Sequence, residues 1–190
     1  MSFSILPEKY LELQKKIVKM QSEWQKEIEI DEALPKKWPL KTDGIPLTAE
    51  IPFHIDSEQY QQWLKELGEL VIAYDSRWKE DIETLLKLAE TETSRWTQEA
   101  LACNTYFFEQ LAEKEGVAIW LPQFLAEHAT RPFLRQLAKV YGEELEKIDH
   151  HHHGTGCPIC GEPIRLAKME RLGRKALVCP RCEAAWHENR

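Results

Sequence analysis

Two short runs near the C-terminus, Cys157-Pro158-Ile159-Cys160-Gly161 and Cys179-Pro180-Arg181-Cys182, carry the residue types best suited to chemistry. Two residues between cysteines form a tight turn that aims both sulfurs at one ion, and N–H groups inside the turn can hydrogen-bond the thiolates. Eighteen residues separate Cys160 from Cys179, the reach of one hairpin. The sequence places that hairpin in Ile164-Arg165-Leu166 and Ala176-Leu177-Val178, with a turn near Gly173. Four sulfurs around a tetrahedral ion leave no position for water or substrate, so the spacing predicts a structural site. Such a donor set suits one zinc or one iron, and iron would open electron transfer. A segment this short cannot bury a core of its own, so metal is expected to fold it.

The elements that must position this site read as helices. Tyr10, Leu13, Ile17, Met20, Trp24 and Ile28 recur every three or four residues and predict a helix over 7–30. Pro35, Pro39, Pro46 and Pro52 remove backbone donors, so 31–56 is expected to be an irregular arm suited to binding or packing. Asp56, with Gln59 three residues on, caps a second helix with a stripe of Tyr60, Trp63, Leu64, Leu67, Val71 and Tyr74. A third runs through Trp78, Ile82, Leu85 and Ala89, and a fourth through Trp96, Ala100, Cys103, Phe107 and Leu111. Gly116 breaks the pattern. A fifth holds Trp120, Leu121, Phe124 and Leu125, with Pro122 in its first turn, and Pro132 opens a sixth through Phe133, Leu137, Tyr141, Leu145 and Ile148. The expected fold is an all-α helical bundle with a small C-terminal zinc-ribbon or rubredoxin-like β knuckle. Its divisions are a helical domain at 1–149, a His/Gly linker at 150–156 and a Cys₄ ribbon at 157–190. The aromatic stripes could line a pocket, but stripes of this kind normally form core, and Cys103 reads as a small buried hydrophobe on one of them. His150 to His153 could bind metal or simply form a solvated linker.

Composition narrows the function classes. The net charge of −7 is uneven: residues 1–149 carry −10 and residues 150–190 carry +3. An acidic body disfavours broad nucleic-acid binding, although Arg165, Lys168, Arg171, Arg174 and Lys175 keep a basic ribbon in view as an alternative. No apolar run approaches a membrane span, and the first residues lack a basic segment followed by an apolar one, so a cytoplasmic protein is expected. In that compartment paired cysteines hold metal more readily than disulfides. There is no Ser-His-Asp spacing, phosphate-binding glycine loop or His-Glu-x-x-His run, and no enzymatic activity is expected.

The ending Cys179-x-x-Cys182-Glu183-x-x-Trp186-His187, after Cys157-Pro-Ile-Cys160-Gly161 and the upstream Arg131-Pro132-Phe133-Leu134, resembles the formate dehydrogenase accessory protein (FdhE) family. The helical body with its proline-rich loop is similar too. Members of that family usually continue into a second Cys-x-x-Cys ribbon, whereas this chain stops three residues after His187, as a short or truncated form would. The resemblance implies a cytoplasmic assembly factor that binds the catalytic subunit of formate dehydrogenase. Trp186 and His187 would then either touch the partner or pack on the knuckle.

Overall fold

The computed structural model describes residues 7–29, 44–51, 55–146, 156–170, 173 and 175–187. The readings at Pro35, Pro39, Pro52, Ile148, His150 to His153, Arg171 and Arg174 lie outside these residues. The described chain is mostly helical, with a small three-stranded antiparallel sheet near the C-terminus. No described helix is long and apolar enough to cross a membrane.

Two compact units emerge, and neither is continuous in sequence. The first comprises 1–27, 56–100 and 104–130; the second comprises 28–55, 101–103 and 131–190. Packing thus groups the chain differently from a division by chain order at 149 and 157. The cysteine runs fall in the same unit as residues 131–146.

In the first unit, helix α1 (Glu8–Glu27) buries Leu13, Ile17 and Trp24, while Tyr10 stays exposed. A helical turn, α2 (Leu47–Glu50), belongs to the second unit. Helix α3 (Ser57–Tyr74) starts where the sequence expects, because the Asp56 carboxylate accepts the N–H of Gln59 at 2.7 Å. The Trp63 ring stacks on Trp24, with centroids 4.9 Å apart, and the Trp24 indole N–H donates to Glu66. Trp78 lies in a 3₁₀ turn before α4 (Lys79–Thr91). Helix α4 approaches α3 at Gly68, where a Cβ would stand 2.7 Å from Ile82 Cγ2.

The fourth and fifth stripes depart from expectation. The fourth is two helices, α5 (Thr93–Leu101) and α6 (Thr105–Glu115), because Asn104 caps a new start by accepting the N–H of Phe107. Cys103 therefore sits at a break with φ +55°, partly exposed, and is not a core residue of a continuous stripe. Gly116 ends α6 in the left-handed conformation, as its position predicts.

The fifth and sixth stripes are one helix, α7 (Leu121–Val140), with Pro132 inside it. Proline has no N–H to give the carbonyl four residues back, that of His128. The buried Gln21 fills the gap: its Nε2 donates to His128 O at 2.8 Å and lies 3.0 Å from His128 Nδ1. A contact more than a hundred residues away in sequence thus lets the helix continue through a residue that would ordinarily end it. Helix α7 gives 121–130 to the first unit and 131–140 to the second. A short helix, α8 (Gly142–Glu146), follows it.

Strands β1 (Leu166–Met169), β2 (Lys175–Val178) and β3 (Ala185–His187) form the sheet in that order. The hairpin is present, with Leu166 opposite Val178 and Met169 opposite Lys175, and Gly173 takes φ +74° in its turn. The first strand begins two residues later than expected. The third strand, pairing Leu177 with Trp186, was not anticipated from sequence.

Candidate metal centre

The sequence repeats Cys-Pro-x-Cys, and the backbone repeats with it. In the first turn, Gly161 N–H donates to Cys157 O at 2.8 Å and Cys157 N–H donates to Glu162 O at 2.8 Å. In the second, Glu183 N–H donates to Cys179 O at 3.1 Å and Cys179 N–H donates to Ala184 O at 2.9 Å. Each turn is closed by a residue in the left-handed region, Gly161 at φ +74° and Glu183 at φ +63°. Proline at the second position pre-sets φ for such a turn.

The two turns bring together all four sulfurs that the spacing selects. The Sγ atoms of Cys157, Cys160, Cys179 and Cys182 lie within 4.8 Å of one another, and all four residues are buried. Cys157 Sγ is 3.5 Å from Cys182 Sγ, and Cys160 Sγ is 3.6 Å from Cys179 Sγ. A tetrahedral ion with metal–sulfur bonds of about 2.3 Å needs sulfurs about 3.8 Å apart, so the donor set fits an ion at its centre. None of the five cysteines is in a disulfide. The N–H groups of Arg181 and Cys182 point at Cys179 Sγ, at 3.4 and 3.5 Å.

The cluster could hold a cation, and its thiols are driven in opposite directions. Hydrogen bonding from the Cys157 thiol, and then from Cys160 and Cys182, pulls the Cys179 thiol far below its ordinary value. Cys160 and Cys182 are pushed far up, first by their hydrogen bonds with Cys157 and further by burial. Protein groups alone thus favour the thiolate at Cys179 and oppose it at Cys160 and Cys182. Four thiolates in this small volume require a positive charge between them.

Around the sulfurs stand residues that sequence reading passed over. The Arg181 side chain is only 2% exposed, and its Nη1 donates to Leu101 O at 3.5 Å and reaches Cys103 Sγ at 3.1 Å. Cys103 is also 3.8 Å from a Glu162 carboxylate oxygen. Glu183 pairs with Arg135 at 2.8 Å, its carboxylate largely in solvent while Arg135 is buried. The first turn is held by backbone: Leu47 N–H donates to Pro158 O at 2.8 Å and Thr48 N–H to Ile159 O at 3.0 Å. The available signal was an arginine and a glutamate immediately flanking a ligand, positions that a bare metal turn leaves unconstrained.

Trp186 and His187 do not form an exposed pair. Trp186 is 7% exposed and packs into the cluster that holds the four cysteines, Ile159, Ala184, Leu134, Leu137, Ala138, Tyr141, Leu145, Leu47 and Ile51. Of the two roles expected for it, this burial matches packing on the knuckle: the small sheet lacks bulk, and the indole supplies it. His187 is half-buried, with Nε2 2.9 Å from Glu170 Oε2. The basic side chains of Arg165, Lys168 and Lys175 are exposed.

No protein-family model, curated protein or solved structure matches this chain.

Proposed function

We propose that Cys157, Cys160, Cys179 and Cys182 hold one structural zinc in a ribbon-like knuckle, and that the chain is an assembly factor that binds the catalytic subunit of formate dehydrogenase. The observation that carries the metal reading is the buried cluster of four sulfurs, all within 4.8 Å of one another. With four protein ligands the ion is closed to substrate, so its contribution is rigidity. Iron is the alternative occupant of the same set. The partner is proposed from the Cys-x-x-Cys-Glu-x-x-Trp-His ending, whose glutamate and tryptophan have assigned places beside the cluster. The helical face and knuckle around Arg135 and Glu183 would be the docking platform, in the cytoplasm and without catalysis by the chain itself.

Elemental analysis should find about one zinc or iron per chain, lost in the Cys157→Ser, Cys160→Ser double variant. Red colour with thiolate-to-iron absorption would assign iron. In cells of the source organism, loss of the protein should lower formate dehydrogenase activity without lowering its transcripts. Unchanged activity, together with salt-dependent binding of DNA or RNA by the pure chain, would replace this reading with a nucleic-acid one carried by the exposed Arg165, Lys168 and Lys175.

A further inference from the structure

We infer that the four-cysteine centre is a staple for the helical part of its unit as well as for the knuckle, so that metal occupancy sets whether residues 44–51, 101–103 and 131–146 are folded. The inference rests on the metal reading above. Half of the buried cluster comes from the cysteine segment and half from elsewhere: Leu47 and Ile51 from α2 and its end, Leu134, Leu137 and Ala138 from α7, and Tyr141 and Leu145 from the α8 region. Leu47, Leu134 and Leu137 are fully buried in it. The cysteine segment covers these side chains, and it is too short to hold its shape without the ion.

The anchors are placed so that the ion controls them. The polar contacts described from the two turns come from residues lying between two ligands or next to one. Pro158 and Ile159, which accept the N–H groups of Leu47 and Thr48, lie between Cys157 and Cys160. Arg181, which reaches Leu101 O and Cys103 Sγ, lies between Cys179 and Cys182. Glu183, which pairs with the buried Arg135, follows Cys182. Fixing four sulfurs on one ion restrains these neighbours, each one or two residues from a ligand. Releasing the sulfurs frees them together, and the apolar faces of 131–146 then lose their cover. Burial of these leucines outweighs what a short helix holds by itself.

The test is amide hydrogen exchange on the full chain, with its metal and after removal by a strong chelator, read by mass spectrometry. Exchange in 44–51 and 131–146 should become at least about tenfold faster on chelation, together with 157–187, while 57–91 stays unchanged. Arg181→Met and Glu183→Gln keep all four ligands. With metal content unchanged, the first should speed exchange in 101–103 and the second in 131–140. If the protein holds its ion and chelation loosens only 157–187, the metal centre stands and the staple is overturned. If the chain carries no metal and 131–146 is protected regardless, both readings fall.

Discussion

The turns at 157–161 and 179–183 share one backbone and differ in what closes and what anchors them. The first is closed by Gly161, for which φ +74° costs nothing, and is tied to its surroundings by main-chain hydrogen bonds. The second is closed by Glu183, where φ +63° costs a β-carbon-bearing residue about 1–2 kcal/mol, and is tied by the side chains of Arg181 and Glu183. A backbone anchor survives most substitutions at its own position. A side-chain anchor places a long-range contact under the control of one residue. The strain at Glu183 persists because the carboxylate it presents is the one that meets Arg135, whose guanidinium is buried and would otherwise lose a charged partner.

This contrast can be broken in graded steps. The largest effect is expected from Cys157→Ser with Cys160→Ser, which removes half the ligand set and should abolish bound metal and protease resistance of 157–187. Next comes Gly156→Ala. Its Cβ would stand 2.5 Å from Gly161 O, a backbone atom that cannot swing away, so the first turn must move. A loss on the order of 3 kcal/mol in denaturant unfolding of the metal-bound chain is expected, with weaker metal retention against a chelator. Arg181→Met should follow at about 2 kcal/mol, because the Leu101 carbonyl loses its buried donor. The smallest effects come from swapping the closing residues. Gly161→Ala meets both the left-handed penalty and Pro46 Cγ at 3.3 Å, and should cost about 1–2 kcal/mol. Glu183→Gly relieves strain while losing the ion pair, and should leave stability within about 1 kcal/mol of the parent. If Glu183→Gly proved as damaging as Arg181→Met, the ion pair with Arg135 would matter far more than a half-solvated pair ordinarily does.

What could be read from sequence follows the range of the interaction. The two Cys-x-x-Cys turns, the Asp56 cap and the helix end at Gly116 depend on neighbours within a few residues, and all are present, with the four sulfurs gathered in one cluster. The break at Cys103 escaped because Phe107 and Leu111 continue the apolar spacing across it. Asn104, the cap that starts the new helix, was local enough to have been noticed. The burial of Trp186, the third strand and the shared cluster around the cysteines depend on residues brought together by the fold, which no spacing rule encodes. Pro132 belongs in the same group: its local rule predicts a helix start, but the helix runs through it, with Gln21 from far along the chain donating to the His128 carbonyl.

That contact ties two positions into a dependent history. Proline at 132 leaves the His128 carbonyl without its ordinary helical donor, and Gln21 occupies the place that donor would have taken. Loss of the glutamine should cost less in a chain that has already exchanged the proline for a residue with an N–H, and a proline should be accepted more readily where the glutamine already stands. In a double-mutant cycle, Gln21→Ala should be costly beside Pro132 and much milder beside Pro132→Ala. The two residues, 111 positions apart, would then be expected to vary as a pair.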